Sequence, residues 1–223
     1  MLLNIFCEVS FFYFLVKYFL RGFFFLYNRV DVFGRDQIPL SGPLIVASNH
    51  SSNLDPPLVG AFFPMQLRYL AKDSLFKNII LKKIIQALGA ISVSREDSQK
   101  AASVLKLLLS RLQDGENVLL FPEGTRSQDG KLQKLEGGAA FLSVKAMVPI
   151  VPVYVGGAFA ACPRGKMPIP SKLRLHWGKP IDPQTIVEEV GERGAREEIL
   201  KQLTASLLHL EGEEERMISQ KNG

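Results

Sequence analysis

The chain has 223 residues, 47% of them apolar and 22% charged, with a formal charge of +5. That length suits one domain with a full hydrophobic core, and so large an apolar share excludes a disordered chain. The charge is uneven, because residues 188–223 hold nine acidic and five basic side chains, leaving a +9 body ahead of a −4 tail. A basic body favours anionic partners such as a phosphorylated small molecule, an anionic bilayer or nucleic acid. Nucleic acid ranks last: there is no helix-turn-helix, finger spacing or aromatic sheet motif, so no nucleic-acid partner is expected. Cys7 and Cys162 are too few and too far apart for a disulfide framework or a metal cluster, which points to a reducing compartment.

Residues 2–27 are dense in Phe and Leu, while Ser10, Lys17, Arg21 and Asn28 recur at helical spacing on one narrow stripe. The spacing predicts an N-terminal helix, residues 1–28, lying in the bilayer interface. Lys17 and Arg21 would then reach the headgroups, with Phe12, Phe19 and Phe23 sunk among acyl chains. The alternative is a spanning helix, in which Lys17 and Arg21 would cost about 2.5 to 3.5 kcal/mol each near the bilayer centre. A cleaved signal peptide fits less well, since no basic segment precedes the apolar run.

From residue 29 to 223 the pattern is that of a single α/β domain. Short β-like runs at 29–33, 44–47, 67–71, 90–93, 118–121, 150–154 and 173–177 are separated by helical stretches. The expected fold is a central mixed, largely parallel sheet flanked by helices, with the membrane-interfacial helix added. Apolar residues at three- and four-residue spacing predict a helix over 99–112, a more apolar one over 75–88, and an amphipathic one from Pro183 onward.

Two loops carry the chemistry. Asn49-His50-Ser51-Ser52-Asn53-Leu54-Asp55-Pro56-Pro57 follows the 44–47 strand, where α/β proteins place ligand sites, and Pro56 can open a helix. Across a five-residue turn Asp55 can accept one ring N–H of His50 and leave the other nitrogen as a base, although Asp before Pro is also an ordinary helix cap. Phe121-Pro122-Glu123-Gly124-Thr125-Arg126-Ser127 follows another buried strand with a carboxylate, a glycine and a cation in one turn.

These two segments, with Gly89-Ala90-Ile91-Ser92-Val93-Ser94-Arg95 and Val148-Pro149-Ile150-Val151-Pro152-Val153, match in order and spacing four blocks of the phospholipid and glycerol acyltransferase family. The chain resembles that family over about residues 40–155 and by its length looks most like the bacterial 1-acyl-glycerol-3-phosphate acyltransferases. The resemblance implies an enzyme that moves a fatty-acyl group from an acyl carrier protein or coenzyme A thioester to the sn-2 hydroxyl of lysophosphatidic acid. The product would be phosphatidic acid, for phospholipid synthesis. It implies His50 as general base, Asp55 as the group that orients it, and Glu123, Gly124, Thr125, Arg126 and Arg95 as acceptor-binding positions, with Lys72 second to Arg126. A guanidinium suits a phosphate dianion, and a glycine lets backbone N–H groups come close. Direct transfer without cofactor or metal is expected, since no G-x-S-x-G elbow and no ligand cluster is present. Membrane lipids would be partners, and the cytoplasmic face of a bacterial inner membrane the location. An apolar tunnel near residues 75–88 would receive the acyl chain.

The run Leu135-Glu136-Gly137-Gly138 departs from the family pattern, which often has an aromatic, a lysine and a glycine, so that a charge is reversed. Three rival readings follow: another lysophospholipid acceptor, a lipid-binding homologue without turnover, and a thioesterase in which His50 activates water. His176 and His209 read as structural or surface residues.

Overall fold

The computed structural model describes residues 3–93, 101–163 and 165–222. Seven strands form one sheet: β1 (Asp31–Phe33), β2 (Ile45–Ser48), β3 (Leu67–Lys72), β4 (Ala90–Val93), β5 (Asn117–Leu120), β6 (Ile150–Gly156) and β7 (Arg174–Trp177). Their order is β1-β7-β6-β2-β5-β3-β4. All neighbours are parallel except β6 and β7, so β7 and β1 run against the other five. Each of the seven strand expectations falls within a few residues of an observed strand, and the mixed, largely parallel sheet is as expected.

Helices cover both faces, because every central strand is apolar on both sides. Val46, Leu119, Val151, Val153 and Leu175 point to a layer made by α1 (Leu3–Asn28), α2 (Asp55–Phe62) and α3 (Ile79–Ala87). Ile45, Ala47, Val118 and Ile150 point to the other, made by α4 (Ala101–Gln113), α5 (Gly138–Ala146) and α7 (Pro183–Asn222), α6 being the short turn Ala158–Ala161. The helix expected over 75–88 divides into a 3-10 segment, Asp73–Lys77, and α3. The one from Pro183 breaks at Gly191, where φ is 71°. Gly89 turns the chain into β4 at φ +88°, and a Cβ there would collide with the Leu67 carbonyl, so this first residue of the second block is needed for its backbone.

Asn117 laces the start of the sheet: its side chain accepts from Leu44 N–H at 3.0 Å and donates to Gln66 carbonyl at 3.0 Å, fixing the entries to β2 and β3 on either side of β5. At the antiparallel end Glu214 of α7 is buried against Arg174 Nη1 at 2.8 Å and His176 Nε2 at 2.9 Å. These bonds bolt the C-terminal helix to β7 and give His176 a structural role; His209 is exposed beside Glu213.

The N-terminal helix turns Phe12, Phe19 and Phe23 outward as expected, but its basic stripe lies against the protein. Lys17 is only 4% exposed, and its Nζ donates to Pro64 and Met65 carbonyls, each at 3.1 Å. Tyr13 hydroxyl also donates to Met65 carbonyl, Arg21 lies over the Phe62 ring and Asn28 donates to Ser171 carbonyl. Lys17, Arg21 and Asn28 therefore dock on the protein and do not point to headgroups. The physical reason is that carbonyls just past the end of α2 have no intrahelical donors, and Lys17 and Tyr13 supply them. Phe12, Leu15, Tyr18, Phe19, Phe25 and Leu26 face outward, with Leu26 80% exposed. Among the described residues no helix is long and apolar enough to cross a membrane.

Burial, and secondarily Arg35 and Arg21, push the Lys17 ammonium down from the ordinary 10.5 to about 8. The folded chain thus releases this proton at lower pH than the unfolded one, so between about pH 8 and 10.5 the unfolded state holds more of it and Lys17 makes stability rise with pH. Urea unfolding across that range will show the rise in the wild type, and a Lys17→Met variant will lack that increment.

Candidate active site

β2 and β5 are adjacent and parallel, so the two loops that leave their C-terminal ends are neighbours. At the end of β2, Asn49 extends the ladder with its side chain, accepting from Val155 N–H at 2.7 Å and donating to Val155 carbonyl at 3.1 Å. This frees the backbone of His50 from β6 and lets it turn to the β5 loop. There His50 N–H donates to Glu123 Oε1 at 2.6 Å, and His50 carbonyl accepts from Ser127 N–H at 2.8 Å. The imidazole stacks on Phe121 with centroids 4.0 Å apart.

The ring is oriented by Asp55. Its Oδ2 lies 2.9 Å from His50 Nδ1 and accepts Ser51 and Ser52 N–H at 2.7 Å each. Asp55 is the first residue of α2, followed by Pro56 and Pro57, which have no N–H to offer it. The carboxylate therefore turns back into its own loop, at the positive end of the helix dipole. It is fully buried, whereas the His50 side chain is 18% exposed. An ionised carboxylate only accepts, so Nδ1 carries the ring proton and Nε2 keeps its lone pair. Among the described residues Nε2 has no partner, and the ring borders a cleft. That arrangement can remove a proton from a hydroxyl or from water.

Glu123 was expected among the acceptor-binding residues, and the structure gives its carboxylate two backbone contacts: Oε1 with His50 and Oε2 with Gln133 N–H at 3.0 Å. Burial raises its pKa, and the two N–H donors pull it back. Gly124 adopts φ +69° with open space beside it and forms the rim next to His50. Thr125 is exposed. Arg126 Nη1 donates to Asn53 Oδ1 at 2.7 Å, bridging the two loops. Lys72 ends β3 opposite Val93, at the same edge of the sheet but beyond β5. Arg95 lies outside the described residues.

Two clefts border the two loops. One of about 290 Å³ is bordered by Ser51, Arg126, Ser127, Gln128 and Phe159. The other, of about 340 Å³, opens beside His50 and Gly124 and is walled by Leu70, Val104, Leu105 and Leu108. The apolar cleft thus lies on the α4 face of the sheet, not beside the 75–88 segment, where Ile79 is exposed to solvent. Glu136 stands on its rim. Cys162, remote in sequence, comes close to the site, since its carbonyl accepts from Ser52 hydroxyl at 3.3 Å; its thiol faces the Lys166 carbonyl. Asn49, Asn53 and Ser127 lie within the motifs, but their residue types alone assign them no role. Gln133 lies between motifs and offered no signal.

A family model described as Acyltransferase matches residues 29–156, more than half of the chain. The chain belongs to this acyltransferase family. The 1-acyl-sn-glycerol-3-phosphate acyltransferase of Bacillus subtilis is 29% identical over 158 residues, 70% of this chain and 75% of that protein. A chloroplastic enzyme of the same name from Brassica napus is 28% identical over 157 residues, again 70% of this chain but 45% of its own. The crystal structure of the 1-acyl-sn-glycerophosphate acyltransferase PlsC from Thermotoga maritima superposes with a TM-score of 0.67 at 31% identity, covering 83% of this chain and 78% of that one. The chain spans about half the length of the Brassica, Arabidopsis, Chlamydomonas and Mycoplasma relatives it matches, 42 to 52% of each.

Replacing Asn49 by Ala leaves both backbone groups of Val155 buried and unpaired, which costs about 2 to 4 kcal/mol. Urea unfolding of the variant will show the loss.

Proposed function

We propose that the protein transfers a fatty-acyl group from an acyl carrier protein or coenzyme A thioester to the sn-2 hydroxyl of lysophosphatidic acid, giving phosphatidic acid. The observation that carries the proposal is the 2.9 Å contact of His50 Nδ1 with a buried Asp55, which leaves Nε2 beside the apolar cleft. The names of the relatives, all acyltransferases for 1-acyl-sn-glycerol 3-phosphate, supply the substrate class.

In this reading His50 Nε2 takes the proton of the acceptor hydroxyl as its oxygen attacks the thioester carbonyl. Asp55 stabilises the imidazolium, and the collapse of the tetrahedral adduct expels the thiolate, which takes up the proton that His50 carried. Arg126, with Lys72 and Arg95 in support, receives the acceptor phosphate, and Gly124 gives backbone access to it. The acyl chain lies in the cleft walled by Leu70, Val104, Leu105 and Leu108. Glu123 acts by fixing the His50 backbone, to which one of its oxygens is bound. The outward aromatic face of α1 rests in the bilayer interface on the cytoplasmic side, where lipid acceptor and soluble donor meet. No cofactor or metal is invoked.

Glu136, exposed on the cleft rim, favours a second reading: an acceptor whose headgroup carries an ammonium, such as lysophosphatidylethanolamine.

Thiol release will be measured with a palmitoyl thioester, with and without lysophosphatidic acid. Acceptor-dependent release will fall about 10²- to 10⁴-fold in His50→Ala and, through loss of the ring orientation, by a comparable factor in Asp55→Asn. Release that ignores the acceptor would make the protein a thioesterase, and preference for lysophosphatidylethanolamine in direct competition would select the second acceptor. Sedimentation with anionic vesicles will weaken when Phe19 and Leu26 are both changed to Ser.

A further inference from the structure

We propose that Glu211 of the C-terminal helix is a positioning residue for His50, acting through the backbone of residues 132 and 133. Glu211 Oε1 accepts Leu132 N–H at 3.0 Å and Tyr154 hydroxyl at 3.2 Å. The next amide, Gln133 N–H, donates to Glu123 Oε2, and the other oxygen of Glu123 holds His50 N–H. Two successive amides are thus gripped by two carboxylates, one from α7 and one from the β5 loop. The segment between them has no regular secondary structure to hold it.

The path is short and each link is demanding. Glu123 is a buried carboxylate with one oxygen on each of two backbone amides, so a shift of Gln133 N–H disturbs the contact it makes with His50. His50 N–H is 2.6 Å from the same carboxylate, so the ring base inherits any displacement. Among the described residues Glu211 is the side chain that accepts Leu132 N–H, from the far side of the segment. Tyr154 adds a second donor from β6, and burial, then the adjacent Glu211, raise the pKa of its phenol, keeping it a neutral donor. The anchor therefore ties the catalytic loop to both the helix and the sheet, more than 150 residues after His50 in the chain.

Glu214, one turn further along α7, supplies the control. It bonds Arg174 and His176 on β7 and reaches no residue of the catalytic loops, so its loss loosens the helix without touching residues 132 and 133. The kinetic part of the test rests on the transferase reading above; amide exchange does not. In Glu211→Ala, kcat for acyl transfer to lysophosphatidic acid is expected to fall about tenfold while KM for both substrates moves less than about twofold. Glu211→Gln keeps a carbonyl acceptor for Leu132 N–H and is expected to recover most of the rate. Hydrogen exchange is expected to quicken in Glu211→Ala at residues 127–136 and at His50, whereas Glu214→Ala lowers the melting temperature and keeps the wild-type kcat below it. Wild-type kcat in Glu211→Ala, or a loss matched by Glu214→Ala at equal melting temperature, overturns the proposal. Should the wild type transfer no acyl group, the reaction assigned above fails, and unchanged exchange at His50 in Glu211→Ala then rejects the positioning role by itself.

Discussion

The backbone of His50 is held at both its polar groups by the loop that follows the neighbouring strand. Its N–H goes to the Glu123 carboxylate and its carbonyl to Ser127 N–H. These two bonds turn the end of β2 and the end of β5 into one unit. They exist only because β2 and β5 run parallel and side by side, which brings two loops some seventy residues apart to one edge. Phe121 then fixes the plane of the imidazole, and Asp55 its tautomer. Each of these contacts acts on a different degree of freedom of the ring.

Asp55 belongs to α2, and α2 is also the element on which the N-terminal helix docks. Lys17 and Tyr13 hold the carbonyls just past the C-terminal end of α2, while Asp55 sits at its N-terminal end. One short helix therefore connects the outward aromatic surface to the group that orients His50. The apolar cleft lies across the sheet, against α4. The helical layer that carries the aromatic surface and the cleft beside His50 are thus separated by the strands.

Buried charge is placed with economy. Lys17, Asp55, Glu123 and Glu214 are each less than a tenth exposed, and all four have hydrogen-bond partners. Three of them bond chiefly to backbone groups that no regular element would otherwise satisfy: the carbonyls after α2, the amides of the His50 loop, and Gln133 N–H. An unpaired group in any of these places would be costly, so the charges serve to complete the backbone ledger where the chain changes direction.

The strands could be read from the sequence because their apolar runs are short, β-branched and bounded by turn residues, a local signal that does not depend on partners. The His50 and Glu123 loops could be read because their residue types and order are unusual. The sense of α1 could not: a polar stripe on an apolar helix looks the same whether it meets lipid headgroups or the open carbonyls of another helix, and only the position of α2 decides. Nor could Glu211, one acidic residue among several on an amphipathic helix, be told from its solvated neighbours. The sequence by itself determined which residues had chemistry to offer and in which strands and helices they would lie, since periodicity and motif are local properties. The tertiary structure alone decided which face of α1 is buried, which side of the sheet holds the apolar cleft and which distant carboxylate bonds the segment at residue 132, because each depends on what the fold places opposite.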